Sequence, residues 1–341
     1  MDWASDDTES GAGHWLLTLF CASFAQGLDH SIMVIIRQTS GFSYVLGYFL
    51  TECLDFAVLW PRFGRMMQLG WPEMTKQEAL MRFWGDAFDV TVNVPDWVAL
   101  ERHISSRLRA GDGFSLATIN LDHLVKLRQD RRFRDAYAAQ DLVVADGNPI
   151  VWMSKLAGRP VSLIPGSDAI LPLVRIAAAH HKTLALVGST DDTLAAAKTY
   201  LEREVPGTRI VATIAPPMGF DPVGGSADEV LDALQAVDAD IAFLALGAPK
   251  QELFAAYGRG KLDHVGFISI GAGLDFFSGA QVRAPAWVRA IAMEWLWRAV
   301  SQPARLIPRY AKCFKILPVE LIHALKLRFG AAQGTPAREG K

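Results

Sequence analysis

Between residues 88 and 273 short apolar runs alternate with amphipathic segments of helical length, and this alternation constrains the fold more than any other feature. The runs lie at residues 88–94, 114–120, 142–145, 183–187, 210–214, 241–246 and 265–270. Runs that are apolar almost throughout read as strands buried on both faces, as in parallel sheets. A strand followed repeatedly by a helix builds parallel crossovers. The expectation is therefore an α/β fold: a Rossmann-like, mostly parallel sheet with helices on both faces. Asp96, after Pro95, is placed to cap a helix over 97–108. In such sheets ligands bind beyond the carboxyl ends of the strands, so the residues that end each run are the ones to examine.

The run at 241–246 breaks at Gly247 into Ala248-Pro249-Lys250-Gln251-Glu252 before an amphipathic pattern resumes. This reads either as a site or as a strand–helix turn eased by a glycine. The run at 114–120 ends in Thr118-Ile119-Asn120, and that at 142–145 passes into Asp146-Gly147-Asn148-Pro149. If these strands are neighbours, Thr118, Asn120, Asp146, Gly247, Pro249, Lys250, Gln251 and Glu252 meet in one crevice. A carboxylate in a half-buried crevice can act as a general base, which is one reading of Asp146; the other is a cap for the next helix. Asn120 and Gln251 each offer a donor and an acceptor, suited to a sugar hydroxyl or a uracil edge, or to loop hydrogen bonds. His123 and His264 have no partner at readable spacing and read as structural. The charged run 128–135 reads as a solvated helix face.

Several function classes are disfavoured. The chain has no Walker loop, no GxGxxG after its first strand, no HExxH, CxxC or GxSxG, and no Asp-x-Asp pair where a divalent ion could bridge a diphosphate. A dinucleotide dehydrogenase would lack its phosphate turn, and a metal-independent reaction without cofactor is expected. A net charge of −2 selects no nucleic acid. Cys21, Cys53 and Cys313 make no metal-ligand spacing and suggest a reducing compartment.

The chain ends differ in character. Residues 1–12 are acidic and polar, and disorder is expected there. The apolar stretch 15–24 is short for a membrane span, and its acidic flank (Asp2, Asp6, Asp7, Glu9) lacks the basic character of a secretory signal, so none is expected. Residues 42–60 could span a bilayer in length, but Glu52 and Asp55 would each cost roughly 2.5–3.5 kcal/mol near its centre. A membrane-surface or partner-facing helical segment is expected instead. After Gly279, basic residues including Arg298, Arg305, Arg309, Lys312 and Lys315 interleave with Trp287, Trp295, Trp297 and Phe314. That pattern suits a helical appendage on an anionic membrane surface. Ten tryptophans and a positive mean hydropathy agree with contact to lipid or a partner. The expected organisation is an apolar extension of unknown role (1–80), a core (86–279), a basic amphipathic appendage (280–330) and a disordered tail (331–341).

Taken in order, these pieces match a family. Thr118-Ile119-Asn120-Leu121-Asp122-His123, Val144-Ala145-Asp146-Gly147, Pro165-Gly166-Ser167-Asp168, Leu246-Gly247-Ala248-Pro249-Lys250-Gln251-Glu252, the stretch from Gly271-Ala272-Gly273 to Gly279, Arg283-Ala284-Pro285 and the 294–306 region resemble the WecG/TagA/CpsF glycosyltransferases. The resemblance implies inverting, metal-independent transfer of a sugar from a UDP-sugar donor to a polyprenyl-diphosphate-linked sugar. It assigns Asp146 as the base that deprotonates the acceptor hydroxyl, Thr118 and Asn120 to the pocket lining, and Gln251 to the pocket through the Gly-x-Pro-x-Gln-Glu signature. The family's C-terminal appendage is thought to close over the site at the membrane and supply arginines to the diphosphate. Arg298, Arg305 and Arg309 are the candidates, on one helix face if the helix survives Pro303 and Pro308. Guanidinium groups would supply what a metal otherwise supplies to a leaving diphosphate. One position departs from the pattern: many members carry an arginine three residues before the Gly166-Ser167-Asp168 turn, where this chain has Leu163, with Arg159 nearby but not aligned.

Within the family the pattern around Trp152-Met153-Ser154 looks nearest to transferases adding a β-1,4-linked glucose in xanthan- or acetan-type exopolysaccharides. The alternatives are a transferase for N-acetylmannosamine or its uronic acid, and a non-catalytic nucleotide-binding subunit of polysaccharide machinery. Expected partners are the UDP-sugar donor, the polyprenyl-diphosphate-linked acceptor, the inner membrane surface and, as an open option, further copies of the chain; nucleic acid is not among them. The expected location is the cytoplasmic face of the cell membrane, peripherally. The core is expected to fold without residues 280–341.

Overall fold

The computed structural model describes residues 15–20, 33–38, 43–45, 80–85, 87–277, 285, 288, 293–301 and 303–329, with only the backbone given for the first three segments and for Arg298 and Arg305. The chain divides into two units, 1–73 and 74–341.

In the first unit, β1 (Trp15–Phe20), β2 (Met33–Gln38) and β3 (Ser43–Val45) form an antiparallel sheet in that order. The expected helix over 42–60 is corrected at its start. Ser43–Val45 is a strand paired with β2, in keeping with the β-propensity of Tyr44 and Val45. Residues 46–60, like 1–12, lie outside the described residues.

The second unit opens with a hairpin, β4 (Met81–Gly85) and β5 (Phe88–Val92), which forms its own two-stranded sheet. The run at 88–94 is thus a strand but not part of the main sheet. After it come α1 (Trp97–Ala110), β6 (Phe114–Ile119), α2 (Leu121–Gln129), α3 (Arg131–Ala138), β7 (Leu142–Ala145), α4 (Asn148–Leu156), α5 (Gly166–Ala179), β8 (Thr183–Gly188), α6 (Asp191–Glu204), β9 (Arg209–Ile214), α7 (Gly225–Ala236), β10 (Ile241–Ala245), α8 (Lys250–Arg259) and β11 (Gly266–Ser269). Asp96 caps α1 as expected, accepting from the Ala99 amide at 2.7 Å.

The six strands β6 to β11 form one parallel sheet in the order β7-β6-β11-β10-β8-β9. Side-chain alternation divides its two faces. Leu116, Val144, Leu186, Phe243 and Ile268 pack on one face with α1, α5 and α6. On the other, Ala117, Ile119, Val143 and Ala145 meet α2, α3, α4 and the hairpin, while Ala185, Val187, Ala242, Leu244 and Phe267 meet α7 and α8. Both faces are covered, which is why the strands read as unbroken apolar runs.

Two helices follow the sheet: α9 (Glu294–Ser301) and α10 (Pro303–Phe329). Pro303 opens α10, where its missing N–H costs nothing. Pro308 and Pro318 sit inside α10 on exposed positions, where water can serve the carbonyls they leave unpaired. The expected single face of Arg298, Arg305 and Arg309 is therefore corrected: Arg298 is on α9, and Arg305 and Arg309 lie one turn apart on α10.

The expectation of a separable appendage also changes. Ala324 of α10 is buried in the cluster under β6 and β7, and Leu317, Leu321 and Leu327 pack against it. Glu320 is 0% exposed and pairs with Arg128 of α2. Trp84 of the hairpin stacks on His323 with ring centroids 4.6 Å apart. Removing residues 280–341 would uncover this cluster, so α10 belongs to the folded unit. No helix among the described residues is long and apolar enough to cross a membrane.

Candidate active site

The register of the sheet builds the site. Ile119 of β6 pairs with Ala145 of β7, so Asn120 and Asp146 leave adjacent strands side by side. β11 lies next to β6 and β10 next to β11, so the exits at Gly271 and Gly247 complete a row of four.

Asn120 is the N-cap of α2. Its Oδ1 accepts from the His123 amide at 3.1 Å, and this orients the side chain so that Nδ2 donates to Asp146 Oδ2 at 3.2 Å. Asp146 is half-buried, and the N-cap position of α4 falls to Gly147, whose φ of 100° disfavours other residues. A half-buried carboxylate held beside a fixed amide donor at the carboxyl end of the sheet can accept a hydrogen bond or a proton from a ligand in the crevice.

Beneath these two residues lies a buried polar cluster. The Tyr137 hydroxyl of α3 donates to the Thr118 carbonyl at 2.5 Å, and His123 Nδ1 lies 2.8 Å from that carbonyl and 2.7 Å from the hydroxyl. Burial, aided by Lys126, drives the His123 pKa down to about 3, so the ring is neutral, and its Nδ1–H is the donor. Burial, with the nearby Glu252 and Asp146 carboxyls, pushes Tyr137 well above the usual phenol range. Thr118 itself is 5% exposed. The cluster pins the last turn of backbone before Asn120.

The opposite wall comes from β10 and α8. The Ala248–Pro249 peptide is cis, and Pro249 precedes Lys250, the first residue of α8. Gly247 O accepts from the Gln251 amide at 3.1 Å, and Gly247, Pro249 and Lys250 are half-buried along the crevice edge. Gln251 and Glu252 are 2% and 0% exposed. Gln251 Oε1 accepts from the Gly271 amide at 2.9 Å, and its Nε2 donates to Glu252 Oε1 at 2.8 Å. Gly166 and Gly273 let the first turn of α5 approach the β11 exit: a Cβ on Gly166 would fall 3.1 Å from Ile270 Cα, and one on Gly273 3.1 Å from Ser167 Cα. The expected turn at 165–168 is accordingly the N-cap and first turn of α5.

Burial raises the Glu252 carboxyl to about 7, against the hydrogen bond from Gln251. The unfolded chain ionises this group near 4.5, while the folded protein holds its proton to about 7. Stability from this group is therefore complete below pH 4.5, falls as pH rises to 7, and is level above that. Over this window the wild type is expected to lose roughly 3 kcal/mol that a Glu252→Gln variant retains; urea unfolding of both at pH 5 and pH 8 measures the difference.

Arg309 reaches the site edge from α10. Its Nη2 lies 3.0 Å from Asp122 Oδ2, which Lys126 Nζ also approaches to 2.8 Å; Lys126 Nζ in turn donates to the Ala248 carbonyl at 3.0 Å. Burial works against ionisation of Asp122, but Arg309 and Lys126 outweigh it and hold the carboxyl below its ordinary range. The side chains of Arg298 and Arg305 lie outside the description. Leu163 forms a bridge with Ala145 and packs against the apolar cluster of β6 and β7, and Arg159 Nη1 donates to the Leu80 carbonyl at 3.0 Å. The sequence pointed to neither Tyr137, Lys126 nor Asp122. Tyr137 was legible only through its spacing of four from Phe133, with which it shares the buried face of α3.

Among the described residues, no three or more His, Cys, Asp or Glu side chains are placed to hold a metal ion. The family model of the glycosyl transferase WecG/TagA/CpsF family matches residues 86–333. The chain belongs to this family. The match includes all of α10, in agreement with the packing of that helix on the core. Among curated proteins, an N-acetylglucosaminyldiphosphoundecaprenol N-acetyl-beta-D-mannosaminyltransferase of Bacillus subtilis (strain 168) is 30% identical over 207 residues, 58% of this chain and 78% of that protein. Proteins of the same name from Bacillus spizizenii (29% over 205 residues; 58% and 77%) and Staphylococcus aureus strain MW2 (27% over 165 residues; 48% and 63%) are also similar. These are N-acetylmannosaminyltransferases, so the likeness to xanthan- or acetan-type glucosyltransferases finds no support.

Proposed function

We propose that this glycosyltransferase moves an N-acetylmannosaminyl group from a UDP-sugar to a polyprenyl-diphosphate-linked N-acetylglucosamine, by a single metal-independent displacement. The observation that carries the reading is the Asn120–Asp146 pair at the carboxyl ends of adjacent parallel strands; the names of the relatives supply the sugars. Asp146 takes the proton from the acceptor hydroxyl as its oxygen bonds to the anomeric carbon of the donor. The bond from that carbon to the UDP oxygen breaks, the electron pair leaves with UDP, and the configuration inverts.

Three helices, α4, α5 and α8, begin at this edge of the sheet without a side-chain cap. Their positive dipole ends favour an anionic ligand such as the donor diphosphate. Asn120, Gly247, Pro249 and Lys250 would line the donor pocket, with Thr118 in the buried layer beneath Asn120. Arg309 of α10 with Lys126 of α2, and Arg298 of α9 with Arg305 of α10, would meet diphosphate charge. On the outer side of α9 and α10, Trp295, Leu296, Val300, Ile307 and Phe314 are exposed around an apolar groove of about 550 Å³, with Lys312 and Lys315 also exposed. This surface supports peripheral attachment to the cytoplasmic face of the membrane.

The test is a panel of radiolabelled UDP-sugars, including UDP-N-acetylmannosamine and UDP-glucose, offered with polyprenyl-diphosphate-linked N-acetylglucosamine or glucose, with and without chelator. The expected result is transfer of N-acetylmannosamine to the N-acetylglucosamine acceptor, unchanged by chelator. Preferred glucose transfer would overturn the sugar assignment, and chelator-sensitive turnover the metal-independent mechanism. Donor binding with no transfer to any acceptor would favour the non-catalytic reading.

A further inference from the structure

Glu252 follows Gln251 in the α8 first turn, but it cannot act as Gln251 does. It is 0% exposed, so its carboxyl lies beneath the crevice wall. Its Oε1 accepts from Gln251 Nε2 at 2.8 Å, and its backbone carbonyl accepts from Gln140 Nε2 at 3.2 Å. Gln140 also donates to the Ala136 carbonyl at 2.9 Å, so α3 and α8 share this amide. Glu252 Oε2 is buried with no hydrogen-bond partner. A buried carboxyl held at such cost needs a reason beyond packing.

Gln251 shows what that reason is. Its amide has two faces and two demands. Gly271 offers an N–H at 2.9 Å and needs an oxygen; Glu252 offers an oxygen and needs an N–H. Turning the amide over would set its N–H against that of Gly271 and, with the Glu252 carboxyl ionised, oxygen against oxygen. With Glu252 in place only one orientation is paired, and in it Gln251 ties the β11 exit to the start of α8. The fastened loop, Gly271-Ala272-Gly273, packs on the uncapped first turn of α5. Two walls of the crevice are thus joined through one side chain whose orientation depends on a second.

We propose that Glu252 is a positioning residue for the donor pocket: its buried carboxyl sets the Gln251 amide, and that amide fastens the 271–273 loop to the loop following β10. Glu252, expected from the sequence to face the crevice, acts instead from beneath its wall. The proposal rests on the functional reading above only for the identity of the donor. The carboxyl is surrounded by Lys126 of α2, Tyr137 of α3 and Gln251 of its own helix; Lys126 is the cation that favours its charged form.

The test uses the full chain and two readouts. Hydrogen exchange of residues 268–275 is followed in wild type, Glu252→Gln, Glu252→Leu and Gln251→Leu, with β8 as the internal standard. Glu252→Gln keeps a carbonyl for the Gln251 amide and is expected to protect Gly271 like the wild type. Glu252→Leu and Gln251→Leu are expected to speed exchange at Gly271 about five- to tenfold, with β8 unchanged. For Glu252→Leu, the KM for the sugar nucleotide is expected to rise by a similar factor, with kcat changed less. Wild-type protection of Gly271 in Glu252→Leu would overturn the proposal, and so would a Glu252→Gln variant as loose as Glu252→Leu. If Glu252→Leu does not fold, unchanged protection in Gln251→Leu overturns it. The exchange readout stands even if no sugar is transferred, which separates failure of this inference from failure of the functional reading.

Discussion

Replacing Asp146 with Asn is expected to lower kcat by roughly 10²- to 10⁴-fold, the contribution typical of a positioned general base. Affinity for the sugar nucleotide is expected to stay within about twofold, since the change is isosteric and removes no uncapped helix terminus. The new amide keeps an oxygen for Asn120 Nδ2, so the pair that orients position 146 survives. What is lost is the ability to accept the hydroxyl proton. Steady-state kinetics and calorimetric titration with the donor together separate the two effects. Turnover equal to wild type would remove Asp146 from the mechanism, whereas lost donor binding would make it a pocket residue.

Glu320→Ala is expected to destabilise the folded unit by roughly 3–5 kcal/mol, the cost of leaving a buried charge without its partner. Glu320 is fully buried on α10 and Arg128 one-quarter exposed on α2; the pair also meets His323, which stacks on Trp84. Removing the carboxylate strands the Arg128 guanidinium between two helices and the hairpin. For a unit of this size the melting temperature is expected to fall by about 10 °C. The double variant Arg128→Leu/Glu320→Leu is expected to recover most of that loss, because apolar residues of similar volume replace buried ion pairs well. Scanning calorimetry on the three proteins checks this. A single variant as stable as wild type would mean that α10 rests on the core without this lock.

The main sheet was legible because a strand covered on both faces must be apolar throughout, and runs such as Leu142-Val143-Val144-Ala145 have few other uses. The polar residues that interrupt those runs, Asn120 and Asp146, gave the site its outline. The hairpin partner Met81–Gly85 escaped notice because its signal depends on a pairing across a turn rather than on any period of its own. The docking of α10 was hidden for a different reason. Its inward stripe (buried Cys313, Glu320 and Ala324 with half-buried Leu317) contains a charged residue, and its opposite face is apolar too, so charge and hydropathy pointed to the membrane side alone. The depth of Gln251 and Glu252 was equally invisible: in a signature of polar residues nothing marks which point at a ligand and which point beneath it.

The account stands most directly on the stereochemistry of the product. If Asp146 deprotonates the acceptor for one in-line displacement, a UDP-α-sugar must give a β-linked product. Measuring the one-bond C1–H1 coupling of the transferred residue by nuclear magnetic resonance decides this, because in a manno-configured sugar the H1–H2 coupling is small for both anomers. A β linkage is the predicted result. An α linkage would contradict the account, because a single in-line displacement assisted by Asp146 cannot retain the anomeric configuration.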